Sequence, residues 1–244
     1  MKDNFSLQSD KYLLYRPSYP AELFSFLLSQ LHNRKAAWDC GTGNGQIAAE
    51  LVYFFDKVYA TDISAQQIEN AALKQNIIYS VQPAEATNFA ANTFDLITVA
   101  QAIHWFDFEK FYTEVKRVAK PKAIIAVIGY GLIKTFDEAD AVIEDFYYNK
   151  LGLFWDAERK YIDENYLTIP FPFQEIKVSK FSNELNWNFE HMIGYLGTWS
   201  AVKHYTKAKG ENPINLIEQK LKQCWGSETR KVKFDILLRI GKVH

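Results

Sequence analysis

Short apolar runs alternate with stretches of helical period through the first half of the chain. Residues 21–31 place Leu23, Phe26, Leu27 and Leu31 on one helical face. Residues 36–40 form an apolar run that ends at a glycine cluster, and 46–55 read as a helix. A second strand, 57–61, ends at Asp62, and Ser64 is placed to cap a helix running to about Lys74. Strands follow at 77–81 and 94–100, then a helix at 108–119 stopped by Pro121, then a strand at 123–128. Strands and helices in this alternation imply right-handed crossovers and a parallel sheet covered by helices on both faces.

The second half has a different rhythm. Residues 136–150 read as a helix and 175–181 as a strand. A mostly helical stretch carrying Trp187, Trp199 and Trp225 comes next, and 232–240 closes the chain as a strand. The expectation is an α/β fold with a seven-stranded, mostly parallel sheet and an antiparallel last strand. A helical cap inserted before that strand should cover the carboxyl ends of the others.

The pattern fits a single domain over residues 1–244. Residues 1–33 form an arm and helix, 34–130 the core, 131–230 further helices and a late strand, and 231–244 the final strand. Two prolines, Pro17 and Pro20, keep part of the arm extended.

The first strand runs into Asp39-Cys40-Gly41-Thr42-Gly43-Asn44-Gly45. Glycines between a strand and a helix permit a tight turn and close approach of a ligand to the backbone. Asp62 follows about 20 residues later, at the end of the second strand, where an acid can accept from ribose hydroxyls. A dinucleotide enzyme needs G-x-G-x-x-G. Here the third glycine comes one place early, at Gly45, and Gln46 holds the required position.

This D-x-G-x-G-x-G run resembles the first motif of class I S-adenosylmethionine-dependent methyltransferases, which have a Rossmann-like fold. The resemblance implies S-adenosyl-L-methionine as cofactor and S-adenosyl-L-homocysteine as product. It implies cofactor contacts from Asp39, Gly41, Gly43 and Asp62, with Ile63 packing on the adenine. Pro83-Ala84-Glu85-Ala86 resembles the segment that touches the adenine edge. Pro83 stands where many members have Asp, so Glu85 or a backbone carbonyl is left to make that contact, and Glu85 reads equally as a surface acid. Ala100 ends the fourth strand, whose tip faces the transferred methyl in this family.

Residues 102–111, Ala-Ile-His-Trp-Phe-Asp-Phe-Glu-Lys-Phe, resemble the trans-aconitate methyltransferase branch. So do Tyr12, Arg16-Pro17, Tyr19-Pro20, Gly129-Tyr130 and Thr198-Trp199-Ser200-Ala201. This likeness assigns Tyr12 and Arg16 to the cofactor, Arg16 through its carboxylate. It assigns Trp105, Tyr130 and Trp199 to the acceptor, although a lone Trp is more often core than pocket wall. His104 is the candidate catalytic residue: an orienting donor, a base for a hydroxyl acceptor, or a packed structural histidine.

Composition narrows the function. A net charge of −1 lacks the basic footprint of nucleic-acid binders. The two cysteines, Cys40 and Cys224, make no metal-like spacing, and no His, Asp or Glu cluster does either. The amino-terminal residues lack a signal-peptide apolar core, and 123–133 is too short an apolar stretch to span a bilayer. An Asn-Pro-Pro-Tyr-like run, carried after the fourth strand by many enzymes that methylate base or amide nitrogen, is absent. The expectation is a cytoplasmic, metal-free monomer or homodimer without nucleic-acid or membrane partners. It would methylate a carboxylate or hydroxyl oxygen of a small molecule. The alternatives are methylation of tRNA or protein, and cofactor binding without catalysis.

Overall fold

The computed structural model describes residues 14–71 and 73–244. Its core is a mixed sheet of eight strands, in the order β3 (Ile77–Val81), β2 (Lys57–Asp62), β1 (Ala36–Cys40), β4 (Phe94–Ala100), β5 (Ala119–Tyr130), β8 (Arg230–Lys242) and β6 (Gln174–Glu175), with β7 (Phe181–Trp187) also paired to β8. Helix α1 (Ala21–Ser29) leads into β1 (Ala36–Cys40), α2 (Gln46–Leu51), β2 (Lys57–Asp62), α3 (Ala65–Glu69) and β3 (Ile77–Val81). Then come β4 (Phe94–Ala100), α4 (Phe108–Val118) and β5 (Ala119–Tyr130). The first five strands are parallel, as expected of strands joined by crossovers.

Period-two alternation divides the core. Trp38 and Cys40 of β1, Ile97 and Val99 of β4, and Ile125 and Val127 of β5 face one side of the sheet, with Phe111 and Val115 of α4. Ala37, Leu96, Ile124, Ala126 and Ile128 face the other, with Leu23 and Leu27 of α1 and Ile47 and Leu51 of α2. A strand buried on both faces reads as a continuous apolar run, and β4 and β5 do so.

Several boundaries differ from expectation. The buried residues of α1 are Leu23, Phe24, Leu27 and Leu28; Phe26 and Leu31 lie at the margin. Helix α3 ends at Glu69, well short of Lys74. Pro121 does not stop α4. The chain passes from Val118 straight into β5, and Pro121 sits beside Lys122, whose φ is +68°, where the pairing with β4 shifts register. A proline is tolerated there because a bulge needs no ladder amide from it.

The second half holds α5 (Asp137–Glu144), α6 (Lys160–Asp163), β6 (Gln174–Glu175), β7 (Phe181–Trp187), α7 (Phe189–Gly197), α8 (Ser200–Lys209), α9 (Glu218–Trp225) and β8 (Arg230–Lys242). The expected strand at 175–181 is two strands, a two-residue β6 and the longer β7. Trp187 ends β7 rather than lying in a helix. The sheet accordingly has eight strands and remains mostly parallel, with β6, β7 and β8 in antiparallel pairs. Strand β7 was hidden by its polar half: Ser182, Glu184 and Asn186 alternate with inward residues. The cap has a second part as well. Residues between β5 and β6 join α7 and α8 over the carboxyl ends of the strands.

Candidate functional site

Strand order reverses between β1 and β4, which flank one another while their crossovers leave in opposite directions. That switch point opens a crevice at the carboxyl ends of the strands. The glycine turn lies in it. Gly41 has φ +65°, and a Cβ there would stand 2.6 Å from the Ala102 Cβ and 3.2 Å from Phe106 Cζ. The position therefore requires glycine on two counts, backbone conformation and close packing.

Asp39 organises the turn from beneath. It is 1 % exposed. Its Oδ2 accepts from Thr42 Oγ1 at 2.5 Å and from the Ala48 amide at 3.2 Å, and its Oδ1 accepts from Thr98 Oγ1 at 2.9 Å. Burial pushes its pKa up to about 6, against the pull of those three donors, with Asp62 adding to the rise. Asp39 thus ties β1, the turn, α2 and β4 together.

Asp62 clamps the other side. Its Oδ2 accepts from the Gly43 amide and its Oδ1 from the Ser64 amide, both at 2.9 Å. Ser64 then caps α3 by accepting from the Gln67 amide, as its position predicts.

The cleft above this turn spans about 840 Å³, part of it open to solvent, and is lined by Gly41, Gly43, Asp62, Ile63, Ala100, Trp105 and Tyr130, among others. Asn44, one residue on from Gly43, is 3 % exposed and also lines it. Its Nδ2 has no hydrogen-bond partner among the described residues.

A second pocket, of about 450 Å³, adjoins the first and shares Gln101 and Trp105 with it. Arg16, His104, Trp155, Asp156, Arg159 and Trp199 line it. Gln101 forms the divide. Its φ is +53°, its amide donates to Ile128 O at 2.9 Å and its Nε2 to Tyr130 O at 3.0 Å. Arg16 reaches across from the arm, donating through Nη1 to Tyr130 Oη at 3.3 Å and through Nη2 to Thr198 O at 3.2 Å. His104 is 6 % exposed, with Nδ1 3.5 Å from Tyr166 Oη. Burial first, and the Arg159 charge second, lower its pKa to about 3, so the imidazole is neutral at physiological pH. Trp199 packs against Trp155, Tyr147 and Phe146.

Most residues singled out in the sequence therefore meet in two adjoining pockets. Ala84 and Glu85 do not line either: Ala84 is buried beside the Trp38 face of the sheet, and Glu85 Oε1 accepts from the Asp107 amide at 3.1 Å. Tyr12 lies outside the described residues. Asn44, Gln101 and Arg159 were missed as chemistry. Asn44 stood inside the glycine motif as a spacer, and nothing in the local sequence marks Arg159. Trp199 and Gly43 lie on the same side of the molecule, each lining one of two pockets that share Gln101 and Trp105, so the helical stretch before β8 does cap the cleft.

A glycine turn at the switch point, with an acid ending the neighbouring strand, defines an α/β enzyme built around a nucleoside-containing cofactor. Residues 38–127 match the methyltransferase domain family. The whole chain is similar to a candidate methyltransferase of Dictyostelium discoideum, 35 % identical over 98 % of this chain and 95 % of that protein. A solved structure from Anaeromyxobacter dehalogenans, described as a candidate type II methyltransferase, superposes with a TM-score of 0.87 at 37 % identity, covering 94 % of this chain and 98 % of the other. A Saccharomyces cerevisiae protein described as a candidate S-adenosylmethionine-dependent methyltransferase is 26 % identical over 66 % of this chain and 58 % of its own length. The chain belongs to the class I S-adenosylmethionine-dependent methyltransferase family, and it is a methyltransferase enzyme. Among the described residues, no helix is long and apolar enough to cross a membrane.

Proposed function

We propose that the enzyme methylates an oxygen, foremost a carboxylate oxygen, of a small acidic metabolite, in the manner of the trans-aconitate methyltransferase branch that its 102–111 and 198–201 segments resemble. S-adenosylmethionine would be the donor and S-adenosylhomocysteine the product, in the cytoplasm. The observation that carries this reading is the second pocket. It opens beside the cleft, carries two guanidiniums, and is walled by tryptophans.

The residues of the cleft fit the cofactor. Asp62 presents a carboxylate at the end of β2, where ribose hydroxyls would donate to it. The buried Asn44 Nδ2 is a donor that still needs an acceptor, and a carboxylate at the amino-acid end of the cofactor supplies one. Ile63, 38 % exposed in the cleft, offers an apolar face to the adenine. Bound there, the cofactor supplies an activated sulfonium methyl group.

The rest falls to the protein. Ala100 and Gln101 fix the end of β4 where the two pockets meet, and the acceptor is held there in line. An ionised carboxylate needs no proton removed before it reacts. A neutral His104 with a pKa near 3 is a weak base but a competent hydrogen-bond donor, so it orients the acceptor rather than deprotonating it. Trp105, Trp155 and Trp199 exclude water from the shared wall.

The test is methyl transfer to a panel of di- and tricarboxylates, phenols, amines, tRNA and protein, with and without chelator. Turnover of carboxylic acids that survives chelator is expected. Activity confined to amines or to a macromolecule, or abolished by chelator, overturns the reading. His104→Ala should lower turnover more than cofactor affinity; the reverse would put His104 at the cofactor.

A further inference from the structure

Arg159 ends the short turn Ala157–Arg159, immediately before α6. Its guanidinium lies against two rings that also touch each other, Tyr147 and Trp155. The central carbon lies 4.9 Å from the Trp155 centroid and 5.2 Å from that of Tyr147. Nε donates to Tyr147 Oη at 2.7 Å and stands 3.5 Å from Asp163 Oδ1, which also accepts from Tyr147 Oη at 2.7 Å. All of these polar contacts use the Nε edge. Nη1 and Nη2 make no hydrogen bond to a described residue, although the side chain is only 19 % exposed.

A guanidinium held this way is a prepared fork. The ring contacts and the Nε bond fix its plane, so little rotamer entropy remains to be lost when a ligand binds. Arg159 lines the second pocket together with His104. The other charges there are engaged. Arg16 spends both Nη atoms on Tyr130 Oη and Thr198 O. Asp156 faces His204 Nδ1 at 3.8 Å, and Asp163 lies on the Nε side of Arg159. Two parallel N–H donors on a rigid plane match the two oxygens of a carboxylate, and Arg is suited to that geometry where Lys is not.

We infer that Arg159 grips a carboxylate of the methyl acceptor through Nη1 and Nη2, and that this carboxylate is a handle distinct from the oxygen that is methylated. Engaging both oxygens of a carboxylate draws on the lone pairs a nucleophile needs. The acceptor is therefore an acid with a second oxygen group, a further carboxylate or a hydroxyl, that reaches the shared wall at Gln101 and Trp105. This assignment rests on the small-acid reading above.

Steady-state kinetics with Arg159→Gln and Arg159→Lys test it, using a turned-over diacid and its analogue with one carboxylate replaced by carboxamide. For the diacid, Arg159→Gln should raise KM by about 10- to 100-fold, the effect of losing charge-assisted hydrogen bonds. The wild type should discriminate diacid from carboxamide by a similar factor, and Arg159→Gln should erase that discrimination. Arg159→Lys should recover part of it, and the calorimetric Kd for S-adenosylmethionine should not move in either variant. An unchanged KM in Arg159→Gln, or an equal loss for diacid and carboxamide, overturns the assignment and leaves the small-acid reading standing. A wild type that turns over no carboxylic acid at all overturns both.

Discussion

Truncating Asp62 to alanine separates its two duties. The carboxylate accepts the Gly43 amide on one oxygen and the Ser64 amide on the other, each at 2.9 Å. A carboxylate offers about four acceptor positions, so it can serve the turn and a ribose together. Losing the ribose contacts should cost about 1–3 kcal/mol of cofactor affinity, the range for removing hydrogen bonds to a charged or buried partner. In Kd that is a rise of about 5- to 150-fold. The two amides also lose their acceptor. They lie in a cleft open to water, so solvent replaces it in part, and the stability cost should stay near the low end, about 1–2 kcal/mol. Asp62→Asn sharpens the argument. The amide has one carbonyl oxygen, and its NH2 must face either the Gly43 or the Ser64 N–H. The isosteric variant should therefore lose at least half of what alanine loses, although its size is unchanged. Calorimetry with S-adenosylmethionine and with S-adenosylhomocysteine reads both variants. An unaltered Kd in Asp62→Ala would remove Asp62 from the cofactor site.

Gly41→Ala should destabilise the fold by about 2–4 kcal/mol, from a positive φ and a 2.6 Å approach to Ala102, lowering Tm by roughly 5–15 °C; an unchanged melt refutes the packing argument. The pH dependence of stability should show two opposed slopes. His104 titrates near 3 when folded against 6.5 ordinarily, so the unfolded chain binds the extra proton and stability from this group falls as pH drops through that window. Asp39 titrates near 6 against 3.8, so the folded chain holds the extra proton and stability from this group falls as pH rises through its own window. Between about pH 4 and 6 the slopes oppose, each on the order of 1 kcal/mol per pH unit. Relative to the parent, His104→Ala should become less stable as pH rises across this interval, and Asp39→Asn more stable. Urea melts at three pH values decide it, and parallel profiles for all three proteins refute the assignment.

The centre of the parallel half was legible because β1 and β4 are buried on both faces. Residues 94–100 coincide with β4, since a mostly apolar run bounded by polar residues has few other uses, and 77–81 coincide with β3, a partly exposed edge strand whose β-branched and aromatic residues mark it. Strand β7 was not legible. Among the described residues it pairs with β8 alone, its residues Ser182, Glu184 and Asn186 alternate outward, and their polarity dilutes a signal that period two alone would have had to carry. The early end of α3 escaped for another reason. Its cap was evident in Ser64, but a helix of this length is held by packing against β2 and β3 rather than by its own propensity.

The cofactor half and the acceptor half of the site differ in the same way. Asp39, Gly41, Gly43 and Asp62 act on one another across short loops, so their spacing encodes their geometry: the bond from Gly43 to Asp62 closes one strand–turn–helix unit onto the next. The second pocket has no such local grammar. Arg16 comes from the arm, Gln101 and His104 follow β4, Trp155 and Arg159 come from the insertion after β5, and Trp199 from the one before β8. Each wall is carried by a different segment, and no interval along the chain relates them. A pocket assembled in this way can be altered one segment at a time without disturbing the glycine turn or the β1–β4 junction. On the function proposed above, cofactor chemistry rests with the turn and acceptor choice with a few side chains on the cap. Arg159 illustrates the point: its neighbours Tyr147 and Trp155 hold it in place, and only the fold brings it into one pocket with His104 and Gln101.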